Sequence, residues 1–374
     1  MNQKKRITYL DMAKGVGIVL MVAGHLIGSL QSIDNKPYFA PAYQWIASFH
    51  MPLFFIISGI LLYVTREEEK EMGQIVSRKA QTLLLPYASF SLIYFVINVW
   101  TCVFHPELLK FSELWKFFIY SVTFRGVSVM WFLPALFIGE VCFLWCRKRL
   151  SDGALAALIG TAGFFLMFFS PLLRWEGWET GLVMMALGSL PHTAMRGLFS
   201  AVFLLIGYQA ARLLTGERHG RGAVAELFLG LILLITGGVL CFRNGSVDLN
   251  YMVFGNFILY MICSCAGSFG VILVCKNLPR LRLLLFFGKN SLVIMATHME
   301  FKVMMHTIQI SYWLNRFVTR AKEWVLFATM AVLITLMEAA IVFVYNHYLY
   351  FLIGKRKPEK KRKRQGERTK EERV

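Results

Sequence analysis

Ten stretches of about twenty predominantly apolar residues recur along this chain, and nothing else in it limits the possible folds as strongly. They cover roughly residues 10–30, 43–64, 82–104, 129–146, 154–171, 190–213, 223–242, 253–275, 290–310 and 324–350. A segment of this length and polarity spans a bilayer as an α-helix, because a helix closes all its backbone hydrogen bonds within itself where no water is present. The composition agrees. Of the 374 residues, 57% are hydrophobic and only 17% charged, against about 25% charged in a soluble domain. The expected fold class is all-α: a polytopic integral membrane protein of about ten transmembrane helices. One membrane domain is expected over residues 1–353, followed by a disordered basic tail over 354–374. Two shorter apolar pieces, near 112–124 and 180–190, read as interfacial or re-entrant. The ninth stretch is the least regular, since it carries His298, Glu300, Lys302 and His306.

The net charge of +18 does not point to nucleic acid, because its distribution follows a membrane topology. Twenty-eight Lys and Arg fall in 1–9, 65–80, 147–149, 212–221, 276–289 and 355–373, which are alternate loops and the tail. The intervening loops hold far fewer. Basic residues gather on the cytoplasmic side of a membrane, so both termini are expected to be cytoplasmic and the number of crossings even. The tail should also favour anionic lipid. The first stretch lacks a small-residue cleavage site and is expected to persist as a helix, which places the chain as a multi-pass protein of the cell (cytoplasmic or inner) membrane. The seven cysteines lie within or at the ends of apolar stretches and read as small apolar filler.

Chemistry begins with Lys14 and His25, eleven residues apart in the first stretch. At 100° per residue, eleven steps return to within about 20°, so both side chains share one helix face, roughly 16 Å apart along the axis. Ionisable groups inside a membrane segment are costly and are functional candidates for that reason. An i,i+3 ion pair with Asp11, or snorkelling to the interface, would equally account for Lys14. His25 lies toward the outer side of the first helix. His50, near the outer end of the second, should lie at a similar depth. Histidine titrates near neutrality and suits a general base, whereas packing hydrogen bonds between helices are the competing role. Arg78 and Lys79, at the cytoplasmic start of the third stretch, can join Lys14 in attracting an anion, or serve as positive-inside anchors. Glu140 needs a partner in lipid, and Arg147 is near it in sequence. Arg125, His192 and Arg196 cluster near predicted outer helix ends, where they would either bind an anionic sugar or anchor the helices. The chain shows no metal-ligand cluster, Gly-rich phosphate loop or nucleophile elbow.

Several blocks resemble one family. Tyr9-Leu-Asp-Met-Ala-Lys-Gly-Val-Gly-Ile followed by Gly24-His25 is similar to the opening of acyltransferase family 3, and most similar to its fucose 4-O-acetylase-like branch. Phe49-His-Met-Pro-Leu-Phe-Phe-Ile-Ile-Ser-Gly59, Leu83-Leu-Leu-Pro-Tyr87, Trp131-Phe-Leu-Pro-Ala-Leu-Phe137 and Gly288-Lys-Asn-Ser-Leu292 with His298 follow in the family's order. The resemblance covers roughly residues 6–350 and implies a membrane O-acyltransferase. Its acyl donor would be cytoplasmic acyl-CoA, usually acetyl-CoA, with no metal. Its acceptor would be a hydroxyl of a cell-surface or secreted glycan or a lipid-linked sugar, with polysaccharide synthesis or export machinery as a partner. Many members carry Arg where this chain has Lys14, and Lys supplies a point charge rather than a planar fork. Taken with the residues themselves, this makes His25, His50 and His298 the catalytic candidates, His25 as general base or transient acyl carrier, and Lys14 with Arg78 or Lys79 the expected ligands of the acyl-CoA phosphates. Larger members add an extracytoplasmic hydrolase-like domain that is not expected here. The competing function is a transporter or flippase for a polysaccharide or lipid-linked sugar, its polar groups lining a path without acyl transfer.

Overall fold

The computed structural model describes residues 7–35, 37, 39–107, 109–169, 181–216, 221–299, 301–315 and 323–355. The chain is all-α. Its helices in order are α1 (Thr8–Asp34), α2 (Ala40–Val64), α3 (Met72–Lys79), α4 (Leu85–Phe104), α5 (Phe111–Val122), α6 (Phe132–Arg147), α7 (Asp152–Phe169), α8 (Leu182–Leu214), α9 (Arg221–Cys241), α10 (Phe257–Asn277), α11 (Arg282–Lys289), α12 (Ser291–Thr297), α13 (Val303–Asn315) and α14 (Glu323–His347). Among the described residues, eight helices are long and apolar enough to cross a membrane: α1, α2, the continuous run Met72–Phe104, the run Ser128–Arg147, α8, α9, α10 and α14. This is a polytopic membrane protein. The expected tail beyond Lys355, together with Lys36, Trp175, Trp178, His219 and Glu300, lies outside the described residues.

Two of the ten expected spans do not meet that measure. The fifth is α7, which among the described residues counts as a shorter apolar helix over Asp152–Leu166. The ninth is broken. α12 ends at Thr297, a turn follows with Lys302 at φ 57°, and α13 starts at Val303. The polar residues noted in the sequence account for the break. Unwinding lets His298 bury completely and lets the Lys302 Nζ donate to Thr101 Oγ1 at 3.2 Å, whereas a straight helix would turn some of these groups into lipid. The short piece near 180–190 is the first part of α8, and the piece near 112–124 is α5.

A π-helical segment, Ala80–Leu84, joins α3 to α4. It sits just before Pro86, whose missing N–H interrupts the regular ladder.

The directions of the helices follow from their cross-links. α6 and α8 run the same way. Arg147 at the end of α6 and Arg212 near the end of α8 both reach Asp152, at 2.9 and 3.4 Å. α7 starts at Asp152 and returns along α8, since Gly163 packs against Val202. α14 is antiparallel to the broken segment. Asn346 donates to Asn290 at 2.8 Å, Thr297 donates to Glu338 at 2.7 Å, and Met330 packs in one cluster with Val303 and Met304.

α2 lies at the centre. Two thirds of its most apolar window (67%) is buried, against 22% for α9 and for α14, which present apolar side chains such as Phe228, Ile235, Val332 and Phe343 outward. Small residues let the central helices approach closely. A Cβ on Gly288 would overlap the Asp11 carbonyl, and one on Gly207 would overlap that of Ile56. α1 is thereby seated on α11, and α2 on α8.

The short connection after α2 is tied by Glu67. Its carboxylate, 1% exposed, accepts from Thr65 Oγ1 at 2.9 Å and Lys70 Nζ at 2.7 Å and pairs with Arg78. Burial alone would push this carboxyl up, but the bonds from Lys70 and Thr65 and the charges of Arg78 and Lys79 overcome it and hold it down at about 2. A depressed carboxyl contributes stability that is complete above its ordinary value of 4.5 and lost as pH falls through about 2. Glu67→Gln is expected to cost about 1.5–3 kcal/mol, the range for a hydrogen bond to a charged group. It should also flatten the acid limb of thermal stability in detergent between those pH values. An unchanged acid limb would show that the cluster does not carry it.

Candidate active site

Residues 14, 18, 21 and 25 of α1 recur at helical spacing on one face, and that face borders two cavities. The first, of about 260 Å³, is lined by Lys14, Ile18 and Met21 of α1, with Ser58, Lys79, Thr82, Glu140 and Ser291 among its polar neighbours. The second, of about 210 Å³, is lined by Met21, Gly24 and His25 of α1, with Tyr43, His50, Ser128, Trp131, Asp248 and Asn250. The two polar residues singled out in the sequence therefore serve different chambers along one helix.

His25 and His50, expected at similar depth, line the second cavity together. His298 stands beside them, its ring centroid 5.3 Å from that of His25 and tilted by 50°. Their hydrogen bonds select tautomers. His50 Nδ1 lies 2.8 Å from the carbonyl of Ile46, and His298 Nδ1 lies 2.9 Å from that of Ile294. A carbonyl only accepts, so each Nδ1 carries the proton and each Nε2 presents a lone pair. His298 Nε2 is buried with no hydrogen-bond partner among the described residues. Three imidazoles from α1, α2 and the end of α12 thus converge, two of them with the basic nitrogen fixed.

The remaining walls of this cavity come from two loops braced by Arg196. Its guanidinium is 2% exposed, donates to Asn250 Oδ1 at 2.6 Å and to the Arg125 carbonyl at 2.7 Å, and lies over the Trp131 ring at 5.4 Å. His192 Nε2 donates to the Asn250 carbonyl at 2.8 Å. Arg125, His192 and Arg196 do come together as the sequence suggested. Arg196 and His192 are turned toward the loops rather than into the cavity. The loop itself closes through paired Asp248 and Val253 backbone groups, at 2.9 and 2.8 Å, and through Asn244, which donates to the Phe254 carbonyl. Asp248 and Asn250 were not picked out in the sequence. Their only signal there was a short polar loop, Asn244-Gly-Ser-Val-Asp-Leu-Asn250, between two apolar stretches. Arg196→Met should leave Asn250 and the Arg125 carbonyl unsatisfied at about 1.5–3 kcal/mol per lost bond. The expected result is a lower melting temperature and faster proteolysis within 242–256. If neither changes, other contacts hold the loops.

In the first cavity Lys79 pairs with Glu140 at 2.7 Å, and both are largely buried, at 13% and 6% side-chain exposure. Glu140 therefore finds its cation on α3, while Arg147 is used by Asp152 and by Tyr208. Lys14 lines the same space, half-buried. Arg78 does not. It sits on Glu67, with 46% of its side chain exposed. The π-helical segment matters here, because it supplies Thr82 and Leu83 to the wall directly after Lys79. Of the other histidines, His105 pairs with Glu107 at the surface and His347 bonds its own helix.

A cationic chamber and an imidazole chamber in line on one helix suit the handling of an anionic donor at one end and of a nucleophile's proton at the other. Comparisons with known proteins identify the family. The sequence profile of acyltransferase family 3, described as an acyltransferase domain, matches residues 7–345. A nodulation protein, NolL of Mesorhizobium japonicum, is 30% identical over 202 residues, covering 46% of this chain and 49% of that protein. The chain thus spans about half the length of the curated relative it matches. No solved structure matches it.

Proposed function

The chain belongs to acyltransferase family 3, and on that footing we propose that it is a membrane O-acyltransferase that moves an acetyl group from cytoplasmic acetyl-CoA to a hydroxyl of a cell-surface or secreted glycan. The observation that carries this reading is the single face of α1 that joins the Lys14 chamber to the His25 chamber. Lys14 at the end that also holds Lys79, with half-exposed Arg78 next to Lys79 on α3 as a further cation, attracts the phosphates of the donor. The pantetheine arm, about 15–20 Å when extended, reaches from there to the imidazoles. His25 takes the proton of the acceptor hydroxyl on its unprotonated ring nitrogen while the hydroxyl oxygen bonds to the thioester carbonyl carbon. The C–S bond then breaks, and the departing thiolate takes that proton and leaves as free CoA. His50 and His298, with their tautomers held by Ile46 and Ile294, flank His25 and position it. Lys in place of Arg at position 14 accords with the fucose 4-O-acetylase-like branch.

The orientation is part of the same proposal. α7 returning along α8, and the α12–α13 pair following the length of α14, supply a fifth and a ninth crossing beside the eight long helices. Ten crossings put both termini in the cytoplasm with Lys14 on the cytoplasmic side, in keeping with the basic loops. The membrane is then the cell membrane, the tail meets anionic lipid, and the glycan arrives from synthesis or export machinery.

Membranes carrying the protein, given labelled acetyl-CoA and host surface glycan, test the reading. Label should enter the glycan as an alkali-labile ester. Glycan export without any acetyl-CoA consumption would instead identify a transporter. A labelled acyl-enzyme trapped on His25 by rapid quenching would convert the base into an acyl carrier.

A further inference from the structure

The two cavities share three lining residues and no others: Met21, Met51 and Met295. They come from three different helices, α1, α2 and α12, and each is buried, at 3%, 8% and 6% exposure. Each is also a sequence neighbour of one of the three imidazoles. Met21 lies one helical turn before His25, Met51 directly follows His50, and Met295 lies three residues before His298. A ring of methionines thus forms the partition, and the imidazoles stand on its far side from Lys14. Leu or Ile would close such a partition with branched, stiff side chains. Met is unbranched, has three rotatable bonds and a polarisable sulfur, and changes shape at little cost.

We propose that Met21, Met51 and Met295 form a collar through which the donor thioester enters the His25 chamber, and that the width of this collar sets the length of the acyl group transferred. The inference rests on the acyltransferase reading above. Lys14 and His25 are about 16 Å apart along α1, and neither chamber alone bridges them, so a donor anchored at Lys14 must pass the partition to react. An acetyl group adds one methyl beyond the carbonyl. Each further methylene must either hold the thioether chains aside or occupy the space that the acceptor needs. Discrimination by one methylene in an apolar passage is commonly about 10- to 200-fold.

The experiment uses the full chain in nanodiscs with acetyl-, butyryl- and hexanoyl-CoA and the glycan that accepts label in the assay above. Wild type should transfer acetyl and reject hexanoyl. Met51→Ala and Met21→Ala should raise the hexanoyl-to-acetyl ratio of kcat/KM by about tenfold or more. Widening should also raise CoA release without acceptor, read with a thiol reagent, because water gains access to the thioester. Met51→Phe should narrow the passage, cutting acetyl transfer about tenfold or more while CoA still raises the melting temperature. That variant carries the test if the alanine variants fold poorly. An unchanged acyl-length ratio in folded alanine variants, or full acetyl transfer by the Phe variant, overturns the collar and leaves the acyltransferase reading intact. A wild type that transfers no acyl group from any of the three donors overturns both.

Discussion

His25→Ala is expected to lower acyl transfer by about 10²- to 10⁴-fold, the usual contribution of a positioned general base, with little change in the KM for acetyl-CoA. The reason is the separation of the two chambers. His25 borders the imidazole cavity and lies outside the one that holds Lys14, so its loss removes chemistry without touching the donor anchor. His298→Ala should be milder, because the His298 ring touches His25 at 5.3 Å and does not line the cavity itself. Its signature is a displaced pH–rate profile and partial recovery in His298→Asn, where an amide can restore one hydrogen bond to the Ile294 carbonyl. Steady-state rates of ester formation across pH measure both variants. If His25→Ala retains more than about a tenth of the wild-type rate, the base is elsewhere.

Lys14→Ala should show the opposite split. Losing a charge-assisted contact to phosphate is worth about 1.5–3 kcal/mol, which corresponds to a rise of about 10- to 100-fold in the KM for acetyl-CoA, with kcat nearly kept. Lys14→Arg should restore most of the affinity, because the charge is kept and the fork adds donors. The wild-type KM should also rise with salt more steeply than that of Lys14→Ala. A Lys14→Ala enzyme that loses kcat at unchanged KM would move this lysine from donor binding to the chemical step, or to a structural role with Asp11.

Much of this is legible in the sequence. The helix stripe of residues 14 and 25 is pure arithmetic on a 3.6-residue repeat, and α1 runs unbroken from Thr8 to Asp34 as that arithmetic requires. The similar depth of His25 and His50 followed from two antiparallel crossings joined by a short loop. The ninth stretch was legible only as an irregularity. Its polar residues warned of trouble, but whether a chain tilts, pairs or unwinds around them depends on what lies opposite, here Thr101 for Lys302 and the His25 ring for His298. Ion pairs were less legible still. Glu140 has a basic neighbour in sequence, Arg147, yet it takes Lys79, because residues 140 and 147 are about 10 Å apart along one helix, while α3 brings Lys79 to 2.7 Å.

The apolar repeat by itself determined that this protein is a bundle of helices in a membrane, because continuous apolar stretches of about twenty residues fit the bilayer as helices that close their own hydrogen bonds, not as the short alternating strands of a barrel. The spacing within α1 likewise determined that a cation and an imidazole share a face. Only the tertiary structure decided which side chains meet between helices: the third imidazole beside His25, the Arg196 brace between two loops, and three methionines where the chambers touch. Periodicity encodes the face a residue occupies, but the partner across that face is set by how distant helices pack.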